Sequence, residues 1–163
     1  MRRGLCLFAA LFALLLPVAV LAEARPQLRP FVGGSLEQIQ AERAGKPFIL
    51  ALWSATCTHC PAELKALGQL LKRTPGLEVV LVATDTPAES PQLTRLAAEY
   101  GLGRQAQWVF ADEQPERLRF QIDRRWYGEL PRTYLYDGQH RREAYSGLIP
   151  AAQLERWLAA NVK

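Results

Sequence analysis

The sequence has no cluster of lysine and arginine interleaved with aromatic residues, although its formal net charge is +4. Two adjacent arginine pairs, at residues 124–125 and 141–142, stand alone. Nucleic-acid-binding surfaces combine many basic side chains with aromatic rings, so this distribution argues against a nucleic-acid partner. Internal repeats and low-complexity tracts are also absent from the sequence. The length of 163 residues therefore suits one globular domain.

Cysteine and histidine are scarce, with three and two residues respectively. Cys57 and Cys60 form a Cys-x-x-Cys pair, but the nearest further histidine, His140, lies 80 residues beyond Cys60. A structural zinc ion normally needs four such ligands, so we expect no metal site. A purely structural disulfide would close too short a loop to restrict the unfolded chain much. Both alternatives stay open, but a redox-active disulfide with no other cofactor is favoured.

The first 24 residues have the layout of an export signal. Two arginines precede an apolar run at residues 5–22 that contains no charged side chain, and small residues flank a possible cleavage position near Glu23 or Arg25. The run also approaches the length of a membrane-spanning helix, so an uncleaved anchor remains an alternative. Either way, we expect an extracytoplasmic domain, periplasmic or anchored to the membrane. Cys6 lies in this segment and has no predicted role.

Apolar runs of strand length alternate with segments of helical periodicity along the rest of the chain. Residues 25–34 are rich in proline and glycine and predict a linker or lead-in strand, which leaves 35–163 for the domain. The predicted strands are 48–53, 78–83, 107–111, 132–136 and 142–146, and the predicted helices are 35–45, 58–74, 90–100, 115–122 and 151–160. Asp137-Gly138 predicts a hairpin between the last two strands. This order predicts an α/β domain whose mixed central sheet has helices on both faces and ends in a β-hairpin and a helix.

The Cys-Thr-His-Cys motif at residues 57–60 lies between a predicted buried strand and the start of a helix. Backbone N–H groups and the positive end of a helix stabilise a thiolate, so Cys57 is the candidate nucleophile. Cys60 lies one helical turn further on and would return beside Cys57 in a more buried position. There it could resolve a mixed disulfide by attacking Cys57.

Of the two residues between the cysteines, His59 is the one that could influence the redox potential of the motif. Its imidazole could donate a hydrogen bond or carry a positive charge, and both would favour the thiolate and hence the reduced dithiol. Stabilising the dithiol makes the disulfide more oxidising than that of thioredoxin. The alternative interpretation is a solvated histidine without influence on the thiols.

Two motifs resemble those of a known family. Residues 53–60, Trp-Ser-Ala-Thr-Cys-Thr-His-Cys, resemble the active-site segment of thioredoxin-fold proteins, and Cys-Pro-Ala-Glu at 60–63 resembles the CxxC-x-x-E pattern of the exported TlpA/ResA-like branch. Residues 130–138 resemble that branch's cis-proline strand and its turn. The resemblance extends from about Phe31 to the C-terminus. It implies a thioredoxin-like fold and thiol-disulfide oxidoreductase activity.

The resemblance also implies roles for individual residues. Cys57 would be the nucleophile and Cys60 the resolving thiol. Pro131 would be a cis-proline facing the disulfide, and the backbone of Leu130 would bind an extended substrate. Glu63 matches an acidic residue that manages protons near the thiols; the alternative is a solvated carboxylate on a helix.

Trp53 is a candidate for the core or for the wall of a substrate groove, and Thr58 is a further candidate for that wall. The sequence departs from the family pattern in three places. Thr56 replaces an aromatic residue, Ala51 stands where thioredoxin carries a buried acid, and Leu130 replaces a small or β-branched residue. These departures argue against the behaviour of a cytosolic thioredoxin and would alter the substrate groove.

The predicted function is exchange of a dithiol or disulfide with exported, cysteine-containing proteins. A membrane or periplasmic redox partner would supply or accept the electrons. The family resemblance favours reduction and His59 favours oxidation, so the direction stays open. An alternative from another class is a Cu(I) metallochaperone that uses Cys57 and Cys60. A peroxidase is disfavoured because no Pro-x-x-x-Thr-x-x-Cys pattern surrounds Cys57.

Overall fold

The computed structural model describes residues 27–162, so the predicted export signal at 1–24, with Cys6, lies outside the described residues. Every strand and helix predicted for the domain is present. In chain order the elements are β1 (Arg29–Phe31), α1 (Ser35–Ala41), β2 (Phe48–Trp53), α2 (Cys60–Arg73), β3 (Glu78–Ala83), α3 (Ser90–Glu99), β4 (Ala106–Phe110), α4 (Pro115–Ile122), β5 (Arg132–Tyr136), β6 (Arg142–Ser146) and α5 (Ala151–Asn161). Among these helices, none combines the length and the apolar character that a membrane crossing requires.

The six strands form one sheet in the order β1-β4-β3-β2-β5-β6. The four strands on the β1 side are parallel, whereas β5 is antiparallel to β2 and β6 is antiparallel to β5. Trp53 at the end of β2 pairs with Ala83 at the end of β3, and Leu52 pairs with Arg132 at the start of β5. The mixed sheet and the terminal hairpin are confirmed. The segments that follow β2 and β3 and the segment that precedes β5 therefore meet at one edge.

Helices cover both faces of the sheet, as predicted. Side chains of α2, α3 and α5, such as Leu64, Leu93 and Trp157, form one hydrophobic cluster. Side chains of α1 and α4, such as Ile39 and Leu118, form the other. All six residues of β2 are buried because this central strand contacts both clusters. The continuous apolar run of β2 is thus explained by burial on both faces.

The serines that begin α1 and α3 are not the N-caps of these helices, although serine is a preferred N-cap residue. Gly34, not Ser35, is the N-cap of α1, because its φ of 86° lies in the left-handed region that glycine adopts readily. Ser35 lies in the first turn, and its Oγ accepts a hydrogen bond from the N–H of Val32 at 2.9 Å. Before α3, Thr86 caps a short 3₁₀ turn at Pro87–Glu89 that leads directly into Ser90, so the N-cap of α3 is Glu89.

Candidate active site

Cys57 and Cys60 form a disulfide at the junction of β2 and α2. The bond joins Sγ atoms on residues whose Cα atoms are 5.4 Å apart. Cys57 lies in the turn before α2 and is partly exposed, whereas Cys60 begins α2 and is completely buried. The predicted difference in exposure is therefore confirmed. A nucleophile arriving from solvent reaches the sulfur of Cys57 and not that of Cys60.

At the start of α2, a backbone N–H group points at the Cys57 sulfur. The N–H of Cys60 points to Cys57 Sγ with an N–S distance of 3.0 Å. The positive end of the helix macrodipole lies at the same place. After reduction, both contributions stabilise a thiolate on Cys57. His59 is the exposed N-cap residue of α2, and its side chain makes no capping hydrogen bond.

A shallow cavity of about 330 Å³ opens over Cys57. It is lined by Ser54, Thr56, Cys57, Thr58, His59, Gly128 and Leu130. Three predicted site residues, Thr58, His59 and Leu130, therefore meet around the nucleophile. The Leu130–Pro131 peptide bond is cis. A larger cavity of about 1300 Å³ lies along α3, but none of the predicted site residues lines it.

Trp53 does not lie on the cavity surface. It is the last residue of β2, is 3% exposed and packs in the hydrophobic cluster with Cys60 and Leu64. Its carbonyl accepts a hydrogen bond from the N–H of Thr84 at 2.9 Å, which continues the pairing of β2 with β3 beyond the strand ends. Of the two predicted positions for Trp53, the core and the groove wall, its burial favours the core.

Glu63 is a buried carboxyl group, one helical turn beyond Cys60. It is 3% exposed, which excludes the alternative of a solvated helix carboxylate. Its Oε1 accepts a hydrogen bond from the Thr133 hydroxyl at 3.2 Å, and its Oε2 accepts one from the N–H of Ile149 at 3.4 Å. Burial raises the pKa of Glu63 above 4.5, although the bonds from Ile149 and Thr133 partly oppose this effect. The group is thereby suited to hold a proton near the thiols.

Replacing Glu63 with glutamine should change how stability depends on pH. The folded state raises the pKa of Glu63, so from about pH 4.3 up to the raised value the folded state binds more protons than the unfolded state. Stability is then lost as pH rises through that window, by about 1.4 kcal/mol for every tenfold difference in proton affinity between the two states. Glu63→Gln should gain stability relative to the parent as pH rises from about 4.5 to neutral, measured by urea unfolding of the oxidised proteins.

The control for this experiment is Glu116→Gln, at an exposed position in the first turn of α4. Its free energy of unfolding should follow the parent's pH dependence. If the free energies of unfolding of the parent and Glu63→Gln changed in parallel with pH, the raised pKa of Glu63 would be contradicted.

Asp85 is a site residue that sequence reasoning missed. It follows β3, and its Oδ1 accepts hydrogen bonds from the Ser54 hydroxyl at 3.0 Å and from the N–H of Ala55 at 3.1 Å. Asp85 is about thirty residues from Ser54 and Ala55 in the sequence, so no local motif predicts their contact. The available signal was topological, because β2 and β3 are parallel neighbours whose carboxyl ends share one edge.

Arg132 anchors the segment that carries Leu130. Its Nη2 donates to Asp123 Oδ2 at 2.9 Å, its Nη1 to the Ser146 hydroxyl at 2.7 Å, and its Nε to the Tyr134 hydroxyl at 3.2 Å. The guanidinium thus connects the loop before β5 with both strands of the hairpin. Sequence reasoning missed this network as well, since an arginine after a proline has many possible partners.

Comparisons with known proteins identify structural neighbours only. No protein-family model matches the sequence, and the curated proteins yield no significant match. A secreted Mycobacterium tuberculosis disulfide oxidoreductase homologous to E. coli DsbE is similar, with 21% identity over 74% of this chain and 85% of that one and a TM-score of 0.56. MTB DsbF has 22% identity over 80% and 86% of the two chains, with a TM-score of 0.57.

A thioredoxin family protein from Chlorobium tepidum TLS, described as a thiol:disulfide interchange protein, is similar over 87% of this chain and all of that one. Its identity is 17% and its TM-score is 0.58. At these identities the likeness establishes the fold. The chain has a thioredoxin-like fold, as predicted.

Proposed function

We propose that this protein is a thiol-disulfide oxidoreductase that exchanges electrons with exported, cysteine-containing proteins. The observation that carries the proposal is the asymmetric disulfide, in which a partly exposed Cys57 is joined to a fully buried Cys60 beneath a cavity lined by Leu130. A structural disulfide needs no cavity at one sulfur and no N–H directed at it. The descriptions of two neighbours, a disulfide oxidoreductase and a thiol:disulfide interchange protein, support the same chemistry.

The steps can be written for reduction of a substrate. The Cys57 thiolate attacks one sulfur of the substrate disulfide, which forms a mixed disulfide and releases the other substrate sulfur as a thiolate. The Cys60 thiol then loses its proton and attacks Cys57 Sγ. This second attack restores the Cys57–Cys60 disulfide and releases the substrate dithiol, so that two electrons have passed to the substrate. The same steps in reverse oxidise a substrate dithiol.

Glu63 is the group we assign to the proton of Cys60. Both side chains are buried on the same face of α2, one turn apart. A thiol buried among apolar side chains ionises with difficulty, so a nearby carboxylate that accepts its proton would speed the second attack. The raised pKa of Glu63 brings its proton affinity closer to that of a thiol.

The extracellular or periplasmic location belongs to the proposal too. It is supported by the signal-like residues 1–24 and by a neighbour described as secreted. An oxidising compartment provides disulfides as substrates and requires a membrane or periplasmic partner to reset the active site. No observation on residues 27–162 favours the Cu(I) metallochaperone over thiol-disulfide exchange, and the descriptions of the neighbours concern the latter.

Trapping with Cys60→Ala tests the function. The variant retains the Cys57 thiolate and lacks the resolving thiol, so it should accumulate a mixed disulfide with a disulfide-bonded peptide and with substrates in its native compartment. Non-reducing electrophoresis and mass spectrometry would identify adducts that dithiothreitol releases. The matched control, Cys57→Ala, keeps only the buried Cys60 of the two motif cysteines and should trap nothing. Equal trapping by the two variants, or none by either, would contradict the proposal.

A further inference from the structure

Asp85 is held against the turn that leads to the nucleophile. Its Oδ1 accepts hydrogen bonds from the Ser54 hydroxyl at 3.0 Å and from the Ala55 N–H at 3.1 Å, and its Oδ2 lies 3.2 Å from the same Ala55 nitrogen. Asp85 itself is partly buried at the end of β3. Two donors from consecutive residues therefore converge on one carboxylate, supplied by the segment that follows the neighbouring strand β3.

Ser54 links the Asp85 carboxylate to Cys57 through further hydrogen bonds. While its hydroxyl donates to Asp85, its Oγ also accepts a hydrogen bond from the N–H of Thr56 at 3.1 Å. Its carbonyl accepts a hydrogen bond from the N–H of Cys57 at 3.3 Å. The backbone at 54–57 thus forms a closed turn whose outer side is fastened to β3.

Among the other residues that line the cavity over Cys57, His59 is the one with an ionisable side chain. His59 lies beside Cys57 in the motif, and Glu63 is buried one turn into α2. Gly128 and Leu130, which line the cavity from the segment before β5, carry no charge. Asp85, two residues beyond β3, adds a carboxylate that is held against the N–H of Ala55.

We propose that Asp85 is a positioning residue for Cys57, which fixes the turn at 54–57 so that the sulfur faces both the Cys60 N–H and the cavity. The proposal rests on the exchange function proposed above. It goes further by assigning a role to a residue outside the Cys-x-x-Cys helix and the Leu130 segment. Without the carboxylate, the Ser54 hydroxyl and the Ala55 N–H lose their shared acceptor. The backbone of the turn can then change conformation, which moves the Cys57 sulfur away from the Cys60 N–H.

Two substitutions separate geometry from charge. An asparagine in place of Asp85 could present a single oxygen to both donors, because Oδ1 alone already accepts both bonds. Asp85→Asn should therefore keep the turn and remove the charge, whereas Asp85→Ala removes both. Asp112→Ala is the matched control, since Asp112 Oδ1 accepts the Gln114 N–H at 2.8 Å in a comparable turn after β4.

The experiment measures two properties of each reduced, folded variant. One is the rate of Cys57 alkylation by iodoacetamide as a function of pH, with Cys60 replaced by alanine in every protein. The other, in proteins that retain Cys60, is kcat and KM for reduction of a disulfide-bonded peptide. Asp85→Ala should move the midpoint of the alkylation profile to higher pH and lower kcat by about tenfold. Asp85→Asn should stay within about threefold of the parent in kcat, with a midpoint at or below the parent's.

Asp112→Ala should match the parent in both measurements. The proposal is overturned if Asp85→Ala retains the parental midpoint and kcat, which would leave Asp85 a purely structural role. It is overturned equally if Asp85→Asn is as impaired as Asp85→Ala. The alkylation profile requires no disulfide substrate, so failure of the exchange function would show in the kinetics of the parent and leave the effect of Asp85 on Cys57 measurable.

Discussion

Replacing Gly68 with alanine should destabilise the protein by about 3 kcal/mol. Gly68 lies in the middle of α2, and a Cβ atom added there would overlap the backbone carbonyl oxygen of Tyr100 at the end of α3. A backbone atom cannot move aside as a flexible side chain can, so α2 or the chain after α3 must shift. Alanine is otherwise favoured over glycine in a helix by about 1 kcal/mol, so a loss of stability would identify the steric cause.

Urea unfolding of the oxidised proteins measures this effect. Gly33→Ala is the control, because a Cβ at Gly33 would lie 3.7 Å from side-chain atoms of Gln121, an ordinary contact. Its free energy of unfolding should change by no more than about 0.5 kcal/mol. An unfolding free energy for Gly68→Ala equal to or above the parent's would contradict the close packing of α2 against the end of α3.

The consequence of Gly68→Ala should extend to the active site. Cys60 and Glu63 lie on the same helix as Gly68, in the turns that precede it. A shift of α2 moves the resolving thiol relative to Cys57 and the carboxyl group relative to Thr133. We therefore expect slower resolution of the mixed disulfide in the fraction of the variant that remains folded.

Local sequence patterns predicted the fold and the centre of the site. Buried strands such as β2 appear as short apolar runs, and the Cys-x-x-Cys motif is contiguous, so neither requires knowledge of distant contacts. The burial of Glu63 was predictable too. It shares a helical face with Cys60, Leu64 and Leu67, all of which are buried, so periodicity favours a buried carboxyl group over a solvated one.

Contacts between distant segments explain what the sequence did not reveal. Asp85 and Ser54 meet because two parallel strands end together, and a single sequence does not state the strand order. Trp53 ends a strand that is buried on both faces, so alternation of side chains does not tell which face its ring occupies. Gly34 is the N-cap of α1 because the chain adopts a left-handed conformation there. Ser35, the next residue, is also of a type that commonly caps helices, so the sequence alone does not distinguish the two.

Asp123→Ala should cost about 2 to 3 kcal/mol of stability. Asp123 and Arg132 have side chains that are 6% and 12% exposed, and their Oδ2 and Nη2 atoms are 2.9 Å apart. Asp123 Oδ2 also accepts a hydrogen bond from the Tyr134 hydroxyl at 3.2 Å. Removing the carboxylate leaves the largely buried guanidinium with Glu129 as its remaining anion, at 3.4 Å, and loss of the closer partner is the main source of the expected destabilisation.

The pKa of Asp123 gives the same network a dependence on pH. Burial alone would raise this pKa, but hydrogen bonds from the Arg125 N–H, the Arg132 guanidinium and the Tyr134 hydroxyl, together with the charge of Arg142, hold the pKa below 3.8. A carboxyl group with a lowered pKa stabilises the folded state above its unfolded value of about 3.9. That contribution is lost as pH falls through the folded value, so the deficit of Asp123→Ala should shrink in acid.

A double-mutant cycle with Arg132→Met measures the coupling of the two residues. Asp123→Ala combined with Arg132→Met should cost less than the sum of the single losses, because the double variant buries no unpaired charge. Glu155→Ala is the control, since its pair with Arg73 has side chains more than half exposed and should contribute no more than about 1 kcal/mol. A loss below about 1 kcal/mol for Asp123→Ala at about pH 7 would contradict the buried pair.

The network also connects stability to substrate binding. Arg132 directly follows Pro131 and joins Asp123, Ser146 and Tyr134 around the base of the segment that presents Leu130 to the cavity. If that segment loosens, an extended substrate must order it on binding, which weakens affinity without altering the thiols. The double variant should therefore raise KM for a disulfide-bonded peptide more than it lowers kcat, while the pH profile of Cys57 alkylation stays that of the parent.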